Sequence, residues 1–262
     1  MSVPAPNASG HRLPRGAARL AEEFRLALGF LTIIPVSPAG VAPLETVAGS
    51  FGWFALVGFL IGAVLCVEDL LLSFVIGHAL RSVLIVMSLA IVTGAVHLDG
   101  LADSADALGA GRNRARALEI MRDSQIGSFG AIALFFVLVL KLVALASIGG
   151  ALRYATLWLA PGLARWAMVA VSDRLDYLRK EGAGTSLLER QGGRNLMMVS
   201  VTVVVAALPV LFVRTLRAYV VAVVLVLLLR ASYRRWLGGV TGDLIGAAGE
   251  LVETAVMIAM SV

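Results

Sequence analysis

Several uninterrupted apolar runs, each long enough to cross a lipid bilayer as a helix, constrain this chain more than any other feature. The run 48–67 contains twenty residues without a charged side chain. A helix needs about 20 mostly apolar residues to cross the hydrocarbon core of a membrane. The other long runs are 82–98, 131–149, 151–172, 195–213, 218–229 and 244–262. The chain is therefore predicted to cross a membrane about seven times.

Composition supports this interpretation and narrows the fold class. Of the 262 residues, 59% are hydrophobic and 15% are charged, whereas soluble domains are about half apolar and about a quarter charged. Only helices and closed barrels satisfy the backbone in lipid, and the runs lack the alternation of barrel strands. We expect an all-α, polytopic membrane helical bundle, with a short interfacial or re-entrant helix at 24–36. A disordered cytoplasmic tail over 1–23 would precede a single transmembrane domain over 24–262.

The distribution of charge predicts the orientation. The net charge is +5, and most of the 22 lysines and arginines fall on the loops that share a side with the N-terminus. Because such residues accumulate on cytoplasmic loops, the N-terminus is predicted to be cytoplasmic. No basic stretch is interleaved with aromatic residues, so a nucleic-acid partner is not expected. The single cysteine, Cys66, excludes a disulfide framework.

An acid-rich segment follows the run 82–98. Asp99, Asp103 and Asp106 are spaced i, i+4, i+7, which places the three carboxylates on one face of a helix. Their mutual repulsion favours a hard divalent cation, Mg²⁺ or Mn²⁺, as a partner. His97 is two residues away and could act as a base or support a ligand. The alternative is an ordinary solvated acidic loop whose aspartates cap helices.

A second polar cluster follows at 119–130. Glu119 and Asp123 are again four residues apart, which predicts a shared helix face, and Arg122 could hold phosphate oxygens. Small polar residues then form a turn whose free backbone N–H groups suit a phosphate. The residues of this turn are Ser124, Gly127, Ser128 and Gly130. The alternative is a plain interhelical turn with its N-cap.

The third cluster lies at the start of the last apolar run. Asp243 and Glu250 share one helix face, and glycines between them permit close helix packing. A buried acid at Glu250 needs a cation or an ionic partner, for which Arg165 is a candidate. Alternatively, Thr241 or Asp243 only caps the helix.

Acids, a divalent metal and phosphate-accepting turns together favour phosphoryl transfer. No Walker-type Gly-Lys-Ser/Thr loop is present, which argues against ATP hydrolysis by that route. A cation transporter is the alternative class. Against it, the acids cluster on one side of the predicted bundle instead of crossing it.

Segments 94–106, 119–130 and 241–250 closely resemble cobalamin synthases, the adenosylcobinamide-GDP ribazoletransferases, and the likeness covers about residues 24–262. This chain has Gln125 where that family usually has a basic residue. The acid helix is also similar to the Asp-Gly-x-x-Ala motif of CDP-alcohol phosphotransferases, which make phospholipid. However, Asp103 stands where those enzymes have Arg.

The resemblance implies a Mg²⁺-dependent enzyme of the cell inner membrane with its active site facing the cytoplasm. It would join adenosylcobinamide-GDP to α-ribazole or its 5′-phosphate, forming adenosylcobalamin or its 5′-phosphate and releasing GMP. A homo-oligomer is compatible with the sequence. On this interpretation Asp106 or His97 is the general base, and Arg122 holds phosphate. The metal ligands would come from Asp99, Asp103, Asp123, Asp243, Glu119 and Glu250.

Overall fold

The computed structural model describes residues 16–36, 42–178, 193–210 and 213–262, which are helices joined by turns. The first six helices are α1 (Ala17–Leu31), α2 (Leu44–Ser50), α3 (Phe54–Leu72), α4 (His78–Val92), α5 (Val96–Ala107) and α6 (Arg114–Ile120). The others are α7 (Ser128–Ala146), α8 (Gly150–Ser172), α9 (Gly193–Ala207), α10 (Val213–Trp236) and α11 (Gly242–Ser261). An isolated parallel β-bridge pairs Tyr177 with Val240.

Five helical stretches in the described ranges are long and apolar enough to cross a membrane. They are Leu44–Leu72, Ser128–Ala146, Gly193–Val210, Val213–Trp236 and Gly242–Ser261. The bent pair α4 and α5 would make a sixth if it is one span. The predicted all-α membrane bundle is therefore confirmed, whereas the count of seven spans is not.

The predicted span over 82–98 is wrong in one respect, because the chain bends by 88° between α4 and α5. Gly94 and Ala95 adopt left-handed backbone conformations with φ of 61° and 55°. Their N–H groups donate to Ile91 and Ala90, which closes the end of α4. Left-handed backbone is rare for a residue with a side chain, so Ala95 is a strained position directly before α5.

Helix α8 runs through the interior of the bundle and packs against α3 and α11. It coincides with the predicted run 151–172 but is not among the five apolar stretches. Arg153 and Arg165 lie on it, and both are buried inside the protein. Gly58 of α3 allows the close approach, since a Cβ atom there would lie 2.4 Å from the carbonyl oxygen of Pro161. The charges of α8 therefore face protein and not lipid.

The N-terminal helix α1 corresponds to the short helix predicted at 24–36. It begins at Ala17 and ends at Leu31, so residues 17–23, assigned above to the tail, are helical in the structure. Glu23 is fully buried on it and pairs with Arg19 at 2.9 Å. Residues 1–15 of the predicted tail lie outside the described residues.

Candidate active site

Helix α5 carries the first acid cluster on a face that turns towards one end of the bundle. Asp99 is exposed, while Asp103 and Asp106 are half-buried. The segment is helical from Val96 to Ala107, so the three carboxylates share the face that their spacing predicts. Each of them is accessible in part, whereas the opposite face of α5 is packed into the bundle.

The backbones of α5 and α11 touch at two glycines. A Cβ atom on Gly100 would lie 2.9 Å from the carbonyl oxygen of Asp243, and one on Gly246 would lie 3.3 Å from Cα of His97. Small residues permit this approach between helices. The contact brings the third predicted cluster to the first, with Asp243 beginning its helix directly against the acid helix.

Thr241 fixes the start of α11. Its side-chain oxygen accepts the N–H of Leu244 at 3.2 Å, as an N-cap does. The same hydroxyl lies 3.7 Å from the Sδ atom of Met121, which is buried just after α6. The turn that carries Arg122 and Asp123 is therefore held beside the first turn of α11.

The second cluster differs from its prediction in one point. Helix α6 ends at Ile120, so Glu119 and Asp123 do not share a helix face. Glu119 instead pairs with Arg116 at 2.8 Å on the surface, and this hydrogen bond raises the pKa of the Arg116 guanidinium. Asp123 is exposed and accepts the N–H of Gln125 at 3.0 Å, so it orders its own turn.

Asp106 occupies the glycine turn that the sequence suggested for phosphate. Its two carboxylate oxygens accept the N–H groups of Gly127 at 2.7 Å and of Gly130 at 2.9 Å. These are the free donors at the start of α7, and a carboxylate satisfies them and complements the helix dipole. The geometry favours the alternative given above, an interhelical turn with its cap. Ser124 and Ser128 of this turn are exposed.

His97 lies in the first turn of α5 and faces α11. Its side chain is 3% exposed, and its Nε2 atom has no hydrogen-bond partner among the residues that the structure describes. Ser104 lies two turns further on the same face and has a buried hydroxyl in the same condition. Buried polar atoms are nearly always satisfied, by protein or by ordered water. Two buried polar atoms on this face of α5, His97 Nε2 and Ser104 Oγ, therefore lack a hydrogen-bond partner among the described residues.

Glu250 lies deeper in the bundle than the other predicted acids. It is 5% exposed and accepts Lys141 Nζ at 2.5 Å. The suggested partner Arg165 instead pairs with Glu253 at 2.5 Å. Lys141 was not predicted as a partner of these acids, although a lysine and two glutamates inside apolar runs are a sequence signal for a buried ion pair.

The described residues contain no group of three or more His, Cys, Asp or Glu side chains placed to hold a metal ion. Mg²⁺ does not require such a group, because it commonly binds one or two carboxylates, substrate phosphates and water. Asp103 and Asp243 supply hard oxygen donors of that kind, half-buried on two helices in backbone contact. The donor chemistry at this end of the bundle fits Mg²⁺ bound together with a phosphorylated substrate.

The bridge between Tyr177 and Val240 was not predicted. The N–H of Leu178 donates to Val240, and the N–H of Val240 donates to Asp176, both at 2.9 Å. These bonds tie the chain that leaves α8 to the residues that lead into α11. A single-residue bridge is too short to produce an alternating sequence pattern, so it could not be predicted from the sequence.

Comparison with known proteins identifies the family of this chain. Residues 23–261 match the CobS family model, described as cobalamin-5-phosphate synthase. The chain is 40% identical over 240 residues to the adenosylcobinamide-GDP ribazoletransferase of Syntrophobacter fumaroxidans, covering 90% of this chain and 96% of that protein. It is 36% identical over 246 residues to the protein of the same name in Klebsiella pneumoniae strain 342, covering 91% and 99%. No solved structure matches the chain. The chain therefore belongs to the cobalamin-5-phosphate synthase family, and it is a membrane transferase of cobalamin biosynthesis.

Proposed function

We propose that this enzyme joins adenosylcobinamide-GDP to α-ribazole or α-ribazole 5′-phosphate, in a Mg²⁺-dependent reaction. The products are adenosylcobalamin or its 5′-phosphate, together with GMP. Support for the donor and acceptor comes from the names of the relatives, which are adenosylcobinamide-GDP ribazoletransferases. Support for phosphoryl transfer comes from the acid face of α5 beside Asp243.

The observation that carries the proposal is the backbone contact between Gly100 and Asp243. It assembles acids from two helices that are distant in sequence at one end of the bundle. The Met121–Thr241 contact adds Arg122 at the same place. Carboxylates for a metal and a cation for phosphate oxygens are what a diphosphate substrate requires.

In the proposed reaction, a ribose hydroxyl oxygen of the acceptor forms a bond to the phosphorus nearer cobinamide. The bond from that phosphorus to the bridging oxygen breaks, and GMP leaves with that oxygen. Asp103 and Asp243 would hold Mg²⁺, with Asp99 and Asp123 as the further acids at this end. When bound, the ion neutralises charge on the diphosphate oxygens. Arg122 would hold a phosphate oxygen and orient the group for attack.

The hydroxyl proton needs an acceptor, for which the sequence offers Asp106 or His97. Both oxygens of Asp106 already accept backbone N–H groups. The Nε2 atom of His97 has no partner among the described residues. The geometry assigns Asp106 to positioning α7, which leaves His97 as the proposed base.

The proposed location is the inner membrane, with the N-terminus and the acid-rich end of the bundle in the cytoplasm. Support comes from the excess of lysine and arginine on the loops of that side. A cytoplasmic site also suits water-soluble nucleotide substrates. Cysteine accessibility on each side of oriented vesicles would measure this orientation directly.

The test is product formation by the purified full-length protein in lipid nanodiscs. One reaction contains adenosylcobinamide-GDP and α-ribazole with Mg²⁺, a second contains EDTA in excess, and a third replaces the substrates with CDP-diacylglycerol and an alcohol. We expect corrinoid product and GMP only in the first. Product formed only in the third reaction would contradict the proposed substrates and indicate a CDP-alcohol phosphotransferase. Undiminished product in EDTA would contradict metal dependence.

A further inference from the structure

Four charged side chains form a network in the interior of the bundle. Lys141 of α7 donates to Glu250 at 2.5 Å and to Glu253 at 2.6 Å, and both acids lie on α11. Arg165 of α8 donates to Glu253 at 2.5 Å. The four side chains are between 1% and 6% exposed. We call Lys141, Arg165, Glu250 and Glu253 the interior network.

The interior network is balanced in charge, with two cations and two anions. Removing an ion from water is costly, and the loss is offset only where the partner lies close and well aligned. Two nitrogen atoms of Arg165, Nε and Nη2, have no hydrogen-bond partner among the described residues, and Glu253 is its neutralising contact. Loss of one member would leave an uncompensated charge inside the bundle.

The interior network is linked to the proposed site through the rigid rod of α11. Helix α11 is continuous from Gly242 to Ser261, and Asp243 and Glu250 are seven residues apart on nearly the same face. The distance along the helix axis is about 10 Å at about 1.5 Å per residue. A rotation or slide of α11 at Glu250 would therefore move Asp243 relative to Gly100.

We propose that the interior network is a positioning device for the active site. Its members do not contact substrate; they hold α11 against α7 and α8, so that Asp243 stays in contact with α5. The inference rests on the proposed function, and it assigns Glu250 to Lys141 instead of to the metal ion.

A double-mutant cycle separates these two roles of Glu250. The variants are Lys141→Met, Glu250→Met and the two together. Each single variant leaves the interior network with a net charge, whereas the double variant leaves the balanced pair Glu253–Arg165. Replacing a whole buried ion pair by apolar residues is tolerated far better than removing one partner.

The single variants are expected to lower kcat by roughly tenfold to a hundredfold, the loss that a misplacement of about 1 Å produces. They are also expected to raise the Mg²⁺ concentration for half-maximal activity. The double variant should recover kcat to within about threefold of the unmodified enzyme, because the two substitutions are strongly coupled. If Glu250 binds the metal directly, the double variant remains as inactive as Glu250→Met.

Hydrogen–deuterium exchange of segment 236–250 provides a measurement that needs neither substrate nor metal. Faster exchange in the first turn of α11 is expected in both single variants, and protection should return in the double variant. If the unmodified enzyme forms no corrinoid product, the proposed function fails, but the exchange cycle still decides whether the network positions α11. Unchanged exchange and activity in the single variants would overturn the inference.

A matched control is available in the buried pair Asp69–Arg153. Arg153 donates to the two oxygens of Asp69 at 2.9 and 2.6 Å, and both side chains are almost fully buried. Arg153 lies in the first turn of α8 and Asp69 in the last turn of α3, so the pair is at the far end of α8 from the Tyr177–Val240 bridge. Asp69→Leu and Arg153→Met should lower thermal stability while leaving exchange in 236–250 unchanged. If these control variants raised exchange in 236–250 as much as the interior-network variants do, the loss of any buried ion pair would be enough to loosen α11.

Discussion

Acidic residues occur in this protein in two contrasting settings, the rim of the bundle and its interior. At the rim, Asp99 and Asp103 are exposed or half-buried on a short helix after a strained turn. In the interior, Glu250 and Glu253 are buried and matched one for one with cations. The same chemical group is thus partly open to solvent at the rim and enclosed with cationic partners inside.

The two settings are held together by different forces. The interior acids are fixed by ion pairs, whose strength increases where water is excluded. The rim acids are positioned by the backbone contacts of Gly100 and Gly246, which involve no charge. Substitutions should therefore separate the settings. Substitution of a rim acid should lower the activity of the enzyme without lowering its stability, whereas substitution of an interior acid should lower both.

The largest effect is expected at the rim. Asp103→Asn and Asp243→Asn should each lower kcat/KM by about 10²–10³-fold, because each removes a proposed carboxylate ligand of the Mg²⁺ ion that would neutralise the reacting diphosphate. Thermal stability in detergent should change little, since both side chains are half-buried. Product formation from adenosylcobinamide-GDP measures the loss. The control is Glu68→Gln, because Glu68 lies near the C-terminal end of α3 and is not one of the proposed site acids. An Asp103→Asn enzyme that kept its activity would show that Asp103 is not part of the site.

A smaller but broader effect is expected where the helices touch. Gly100→Ala places a Cβ atom 2.9 Å from the carbonyl oxygen of Asp243, which forces α5 and α11 apart. Overpacking of this kind costs about 1–3 kcal/mol in the free energy of unfolding. Activity should fall together with the midpoint of thermal unfolding.

Gly109→Ala is the matched control for that substitution, because its new Cβ atom would meet only the ring of Phe129 at 3.7 Å. This is an ordinary van der Waals contact, so the control enzyme should keep its stability and activity. A Gly100→Ala enzyme that behaved like this control would show that the helix contact is dispensable for the site.

The smallest effect is expected at Asp106. Asp106→Asn keeps an oxygen that can accept one of the two N–H groups, so the loss should be about 0.5–2 kcal/mol of stability, as for other helix caps. Activity should stay within about tenfold, the loss expected when a supporting contact is weakened and the chemistry is left intact. Asp106→Ala should destabilise more. A complete loss of turnover in Asp106→Asn with intact stability would make Asp106 the base.

The helical membrane class and the candidate acids were both predictable, because they depend on local spacing. Uncharged runs of about 20 residues determine helices in lipid, and i, i+4, i+7 spacing determines a shared face. The face of Asp99, Asp103 and Asp106 followed from that spacing alone. The pair Glu119 and Asp123 did not, because α6 ends between them at Ile120.

By itself the sequence determined that this protein is a bundle of lipid-compatible helices whose candidate site acids lie in three segments, since hydrophobic length and helical period act between near neighbours. Tertiary structure alone decided the bend at Gly94 and Ala95, the Lys141–Glu250 pair and the engagement of Asp106 with α7. These outcomes depend on which helices meet. Contacts such as the one between residues 141 and 250 join groups 109 positions apart, and no local pattern encodes such a meeting.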